Sequence, residues 1–378
     1  MKTVIIIQPD VLQYRVPFFD LLRQLGMNSN IDYIVKSKKS TIQTLTKSKK
    51  EVSAYYQELN TKEIKLLGKS IYVQRDTPEI YFADLIITEY AIHNLITFKW
   101  AFYKKPKLLA LWGHGKTYTK RNTFFEEWFK TKLVNHVHWF FGYTSKGVES
   151  VVINGFDQNR TTVVQNSVDT NKLKELVSSV TNDQVKQYKN QHGIKNGNVG
   201  IFIGSLNKTK RINFLIKSSI KVKAKIPDFQ LLIYGLGSDK QKILKASKKF
   251  PHIKYCGEAN LEAKAIVSKF AQLIIMPGRV GLIAVDSFAL GLPIITTEWR
   301  WHAPEVEYLV SGKNSLICEN SLEKFSNGII ELLNNKKTLE LMKYQCLLES
   351  NNYSIEKMAK NFHSGVIDAL NLNKIKMS

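Results

Sequence analysis

The chain has 378 residues, 44% of them hydrophobic and 11% aromatic, which is too long for one typical core and enough apolar mass for two domains of roughly 150 to 200 residues each. Its 55 Lys plus Arg against 32 Asp plus Glu give a formal charge of +23, so anionic partners, nucleic acid or anionic lipid, come into consideration. The composition argues against a disordered chain, no apolar run reaches the roughly 18 residues of a membrane span, and three widely spaced cysteines (Cys256, Cys318 and Cys346) argue against a disulfide framework or a zinc site.

Residues 4–7 read as a buried strand ending at Gln8-Pro9-Asp10; residues 1–7 are too short for a signal peptide, so the protein is expected in the cytoplasm. Phe18, Phe19, Leu21, Leu22 and Leu25 then recur as the inner face of a helix that closes at Gly26. Tyr14 and Arg15 sit in the loop at its entrance, where a turn with a solvated Arg is the plain alternative to a ligand contact. Residues 31–35, 85–88 and 108–112 read as further strands. The last runs into Gly113-His114-Gly115, which exposes an imidazole at a strand's carboxyl end unless the triplet is only a structural turn.

From about Thr123 a helix would align Phe124, Trp128 and Lys132, with Phe125, Phe129 and Leu133 beside them. A core helix explains the aromatics; a face resting in a membrane interface, with Lys116, Lys120, Arg121, Lys130 and Lys132 near lipid phosphates, explains aromatics and cations together. A chain rich in Lys, Asn and Ile also carries such an excess of charge from composition alone. Residues 139–144 read as the next strand, and the polar stretch 180–198 as an interdomain linker. That places one domain at 1–192 and a second at 193–354, with a terminal helix over 355–378 whose Met358, Phe362, Val366 and Leu370 share a face.

In the second domain, residues 199–203 form a strand, followed by the loop 204–211 and a helix carrying Phe214, Leu215 and Ile216. Residues 230–239 and 253–260 are two more strands with turns. Leu273 to Met276 is an apolar run stopped by Pro277-Gly278; Leu282, Val285, Phe288 and Ala289 then recur at helical spacing up to Gly291 and Pro293, and residues 294–297 begin another buried strand. A strand feeding a glycine turn into a helix presents unpaired N–H groups and the positive helix end, which suit a phosphate.

The stretch 278–298 resembles the donor-binding signature of the retaining glycosyltransferases of family 4, which have the GT-B fold. In that family a Glu opens the segment and a second acidic residue follows eight positions on; here the second is Asp286, while Gly278 stands in place of the first. The loop 204–211 resembles the family's phosphate loop, with Gly204, Leu206 and Lys210 matching and Ser205 where Arg is usual. The segments around Gly235 and around Gly257-Glu258 resemble those flanking the donor nucleotide, and Asn166, Val168 and Asp169 match an Asn-Gly-Val-Asp-like turn. All follow in the family's order.

The resemblance implies an α/β chain of two doubly wound, Rossmann-like domains facing a cleft, with a nucleotide sugar, UDP- or GDP-linked, on the second and the acceptor on the first, near Tyr14 and Arg15. It implies transfer of a hexose with retention of configuration. Lys210, aided by Arg211 and the N–H groups at Val280, Gly281 and Leu282, would stabilise the departing diphosphate without a metal or other cofactor, Asp286 would bind the ribose, and His114 would act beside the sugar. The charge adds the expectation of a lipid-linked or cell-surface glycan precursor as acceptor, reached at the inner face of the membrane, and no nucleic-acid module is recognised. A sugar-nucleotide 2-epimerase of the same fold, or a catalytically inactive GT-B subunit, is the alternative.

Overall fold

The computed structural model describes residues 1–39, 41, 55–66, 69–75, 77–116, 118 and 124–375. They form two compact units: residues 1–166 with 355–378, and residues 167–354.

The first unit is built on β1 (Lys2–Ile7), β2 (Ile31–Ser37), β3 (Tyr56–Glu58), a separate antiparallel hairpin of β4 (Thr61–Leu66) and β5 (Lys69–Gln74), then β6 (Leu85–Glu89), β7 (Leu109–Gly113), β8 (Trp139–Gly142) and β9 (Thr161–Val163). The main sheet is wholly parallel in the order β3-β2-β1-β6-β7-β8-β9. Strands of such a sheet are covered on both faces, and this is why β7 and β8 are continuous apolar runs and β1 and β6 are apolar over residues 4–7 and 85–87. Val4, Ile6, Phe18, Trp112 and Phe141 pack on one face with Met358, Phe362 and Val366 of the terminal helix Ile355–Ile375, Phe362 stacking on Phe141 at 4.5 Å between ring centres. Ile5, Ile86, Trp100, Leu111 and Phe140 fill the other.

The second unit contains β10 (Val199–Ile203), β11 (Gln230–Tyr234), β12 (Ile253–Tyr255), β13 (Leu273–Met276), β14 (Ile294–Thr297) and β15 (Ser315–Cys318), again all parallel, in the order β12-β11-β10-β13-β14-β15. The unit begins at Ser167, which corrects the boundary expected at residue 192. The polar stretch taken for a linker is instead largely the helix Asn182–Gln191, opened by a capping box between Thr181 and Gln184. Together with Asn171–Ser179 it packs on this unit: Leu173 is buried in its core, and Tyr188 hydrogen-bonds Tyr234 at 2.9 Å. The surface of these helices is polar, and a polar surface alone reads as a linker.

Candidate functional site

In an open parallel sheet, the chain leaves adjacent strands in opposite directions at the point where the strand order reverses, and the carboxyl ends open into a crevice there. In the second unit that point lies between β10 and β13. The two loops that follow these strands carry Gly204, Ser205, Lys210 and Arg211 on one side and Gly278 to Leu282 on the other.

The loops are bonded to each other at Arg279, once backbone to backbone and once through the Lys210 side chain. Arg279 N–H donates to Thr209 O at 3.0 Å, and Lys210 Nζ donates to Arg279 O. This approach requires glycine at 278, because a Cβ there would stand 2.4 Å from Thr209 O and 2.7 Å from the Lys210 carbonyl carbon. A side chain at this position has no room beside this loop.

Lys210 is largely enclosed. Burial first, and the neighbouring Arg279 guanidinium second, push its ammonium down to about 8, while Glu305 acts in the other direction. Arg211 adopts a left-handed backbone, φ 56°, uncommon for a residue with a side chain. Its Nη1 donates to Pro277 O at 2.9 Å, Thr297 Oγ1 at 3.1 Å and Asn320 Oδ1 at 2.7 Å, and its guanidinium lies 4.0 Å from the centre of the Phe214 ring and 4.6 Å from that of Trp299. Arg211 therefore braces the loop after β10 against the ends of β13 and β14.

The segment after β14 supplies two groups that sequence reasoning passed over. His302 is buried; Val280 N–H donates to its Nδ1 at 3.0 Å, so Nε2 carries the hydrogen and donates to Thr297 O at 2.8 Å. Burial, with Lys210, Arg279 and Arg211 nearby, lowers its basicity, so the ring is neutral at pH 7. This corrects one expectation: the Val280 N–H is spent on His302. The N–H groups at the start of the helix Ile283–Leu290 are those of Gly281, Leu282 and Ile283, ahead of its first bonds from Ala284 to Gly281 O and Val285 to Leu282 O. The other group is Glu305, 3% exposed, whose Oε2 lies 3.8 Å from where a Cβ on Gly281 would stand.

The remaining donor-side residues lie around this centre. Gly235 N–H donates to Gly257 O at 2.7 Å and Gly204 N–H to Tyr234 O at 3.1 Å, which stacks the three turns after β10, β11 and β12 side by side. Ser205 and Glu258 are exposed, Glu258 on the rim of a cavity of about 540 Å³ with Tyr188, His192 and Asn260. Asp286 pairs with Lys264 at 2.7 Å, a partner from the helix Leu261–Ser268 that the sequence did not flag. Among the described residues, no three or more His, Cys, Asp or Glu side chains gather to hold a metal ion.

Residues 184–346 match the family model described as glycosyl transferases group 1. The matched residues lie within the second unit. A curated Haemophilus influenzae protein (strain ATCC 51907 / DSM 11121 / KW20 / Rd), described as an uncharacterized glycosyltransferase, is 25% identical over 196 residues, 49% of this chain and 54% of that protein. The chain thus spans about half the length of the curated relative it matches. Among solved structures, a glycosyltransferase from Rickettsia africae ESF-5 superposes with a TM-score of 0.71 at 13% identity, over 97% of this chain and 98% of that one. Anabaena Alr3699/HepE in complex with UDP superposes with a TM-score of 0.70 at 11% identity, over 97% and 100%. At such identities the likeness concerns the fold, and the two units are the Rossmann-like domains of a GT-B architecture.

Outside the matched residues, the expected residues of the first unit part company. His114 is exposed just past β7, its ring 4.5 Å from that of Tyr143 and 5.9 Å from that of Tyr118. Tyr14 is 41% exposed, but Arg15 is buried; it bonds Asn166 and Met358 Sδ and lies over the rings of Tyr14, Trp112 and Tyr143. Arg15 is thus neither a solvated turn residue nor an open acceptor contact. The first unit's own order reversal falls between β1 and β6, where Asp10, Glu89 and His93 gather. His93 Nε2 is 3.8 Å from Glu89 Oε2, and burial together with Asp10 raises the Glu89 carboxyl. Lys120 and Arg121 lie outside the described residues.

Proposed function

We propose that the protein is a retaining hexosyltransferase that takes its sugar from a UDP- or GDP-linked donor held by the second unit. The observation that carries this reading is the pair of loops at the β10/β13 reversal, with Lys210 on one and the N–H groups of Gly281, Leu282 and Ile283 at the helix start on the other, at strand ends that suit a diphosphate. Negative charge grows on the departing diphosphate as the glycosidic bond breaks, and a cation and N–H dipoles fixed in advance stabilise it without rearranging. The chain's own cations serve this purpose, so the proposal includes no metal or other cofactor. Asp286, on the helix that starts at this turn, is the proposed ribose ligand, and His114 is the first unit's proposed contribution to transfer.

The acceptor we propose is a glycan precursor, lipid-linked or at the cell surface, bound by the first unit while the protein rests on the inner face of the membrane. A charge of +23 and the exposed Trp128 and Phe129 support it. No helix among the described residues is long and apolar enough to cross a membrane.

A thermal-stability screen with UDP, GDP and their sugar conjugates tests the donor, because a ligand that binds only the folded state raises the melting temperature. The matching donor is then incubated with membrane lipid extract and the sugar product followed. Absence of a shift with every nucleotide would sink the reading. Interconversion of the donor sugar without acceptor would favour the epimerase, and binding without turnover an inactive subunit.

A further inference from the structure

The first unit holds a cavity of about 930 Å³ that its crevice does not account for. It opens at the amino ends of β7, β8 and β9, where Leu108, His138, Trp139 and Thr161 lie at or just before the first residue of each strand. The crevice belongs to the opposite, carboxyl ends, and the four residues of β8 alone set the two ends roughly 13 Å apart. Two elements close the sides of the cavity. One is the short helical turn Gln158–Arg160 ahead of β9, and the other is the end of the terminal helix Ile355–Ile375.

Both walls are fixed before anything binds. Asp157 Oδ1 accepts from Asn159 N–H at 2.9 Å and Thr161 Oγ1 donates to Gln158 O at 2.7 Å, which pins the backbone of the turn with its own side chains. Arg160 Nε lies 3.4 Å from Asp157 Oδ2, and its guanidinium 4.8 Å from the centre of the Phe156 ring. The terminal helix runs against the direction of β9: Asn361 Nδ2 donates to Val164 O at 3.4 Å, and one turn on, Gly365 is pressed so close that a Cβ there would collide with Thr162 Oγ1 and the Phe141 ring. The next turn carries the helix past the start of β9. Asp368, Asn371 and Leu372, which share a face at spacings of three and four, therefore meet the cavity instead of a strand.

The lining selects the kind of ligand. Two carboxylates, Asp157 and Asp368, stand here with one guanidinium, Arg160, so the +23 charge of the chain is not expressed in this cavity and an anion would face carboxylate oxygens. A purely apolar ligand would strip water from the amides of Gln158, Asn159 and Asn371 and return no hydrogen bond. Sugar hydroxyls both donate and accept, which suits carboxylates and amides together, while Leu108, Trp139 and Leu372 offer apolar contact to the C–H faces of a ring. The volume lies near the upper end of the roughly 300 to 1,000 Å³ usual for ligand sites and suits a short oligosaccharide better than one ring. We propose that this cavity binds a neutral oligosaccharide, apart from the crevice of either unit. As a grip on a glycan being extended it rests on the transferase reading above; as a binding site it stands on its own lining.

Retention of the full chain on an array of immobilised oligosaccharides, neutral ones beside others bearing uronic acids or phosphates, tests it with wild type, Asp368→Ala combined with Asn371→Ala, and Asn159→Lys. Neutral oligosaccharides should retain wild type, and each variant should need about tenfold more protein for the same retention, the effect of losing one or two hydrogen bonds. Alanine is favourable in a helix and Asn159 is exposed, so both variants should melt with wild type and titrate UDP as it does. They probe separate walls, so a variant that melts early leaves the other to decide. No retention on any neutral oligosaccharide, a preference for the anionic ones, or variants held like wild type would each overturn the inference while UDP binding keeps the donor reading intact. A wild type that holds neutral oligosaccharides through these residues yet binds neither UDP nor GDP keeps the cavity site and overturns the donor reading.

Discussion

Gly278 and Thr209 are held so close that a Cβ on the first would stand 2.4 Å from the carbonyl oxygen of the second. No real Cβ tolerates such a contact, and the obstacle is backbone, so the loop carrying Lys210 would have to move. Gly278→Ala should therefore cost about 1 to 3 kcal/mol of stability, the usual range for overpacking. Gly278→Glu, which places a longer side chain against the same backbone, should do no better. Melting temperature and UDP titration check both variants. Either one keeping wild-type stability and UDP affinity would show that the two loops part easily in solution.

Lys210 makes the site sensitive to pH. Its folded-state value of about 8 lies below the ordinary 10.5, so between these values the unfolded chain holds a proton that the folded chain has released. Stability from this group consequently rises with pH from about 8 toward 10.5, and the cost of the buried ammonium is fully present below about 8. Donor affinity should move the opposite way, weakening as the ammonium deprotonates above about 8. Lys210→Ala should weaken UDP binding by about 1.5 to 3 kcal/mol at pH 7, the worth of a charge-assisted hydrogen bond. Lys210→Arg should remove the pH dependence; UDP titrations between pH 7 and 9.5 that show the same slope in wild type and Lys210→Arg would assign it to another group.

The strands were legible because a parallel sheet buries them on both faces, so residues 4–7, 85–87, 199–203 and 273–276 stand out as unbroken apolar runs. The hairpin of β4 and β5 was not: Thr61-Lys-Glu-Ile-Lys-Leu66 is mostly polar and pairs with a strand outside the main sheet. Lys210 and the glycine turn at 278 were legible through spacing along one stretch of chain. Arg279, His302 and Glu305 were not, because each matters only after β13 and β14 pair and bring the two following segments together. Arg279 fills a turn position that spacing alone marks for backbone rather than chemistry. Glu305, directly after Ala303-Pro304, looks like the acidic start of a short helical turn, which it also is. The Asp10, Glu89 and His93 group went unseen for the same reason, since it is made by the reversal between β1 and β6.

His114 and Gly115 divide between them the two roles open to the triplet at the end of β7. Gly115 has φ +73°, and a Cβ there would fall 1.9 Å from Gly147 O, so the turn depends on this glycine. The His114 side chain is exposed and rests on Tyr143. His114→Ala should shift stability by no more than about 0.5 kcal/mol, as surface changes generally do, while lowering turnover more than donor affinity if the imidazole acts in the transition state. Gly115→Ala should lower the melting temperature sharply. Should His114→Ala melt early and its folded fraction retain full turnover, the histidine would be a turn residue only.

The membrane proposal can be narrowed to one face of the helix Phe124–Val134. Trp128 and Phe129 are 47% and 48% exposed, edge-on to each other at 5.0 Å, and Lys132 reaches over Trp128 at 5.7 Å. Lys130 instead lies 5.8 Å over the Tyr90 ring and adds to burial in lowering the basicity of His93, so it faces other partners than Trp128. An exposed aromatic pair with a cation beside it suits the lipid headgroup boundary, where rings shed water and the ammonium meets phosphate, at about 1 kcal/mol for each cation near an anionic surface. Wild type should therefore co-sediment with vesicles containing phosphatidylserine at low salt and be released at high salt, as screening shortens the reach of its charge. Trp128→Ala with Lys132→Glu should bind the same vesicles several-fold less while its UDP titration stays unchanged, because the helix lies outside residues 184–346. Equal sedimentation of wild type with neutral and anionic vesicles, or with neither, would remove electrostatic docking and point to a soluble acceptor. Loss of vesicle binding through Lys130→Glu but not through the Trp128 and Lys132 pair would place the contact on a different face.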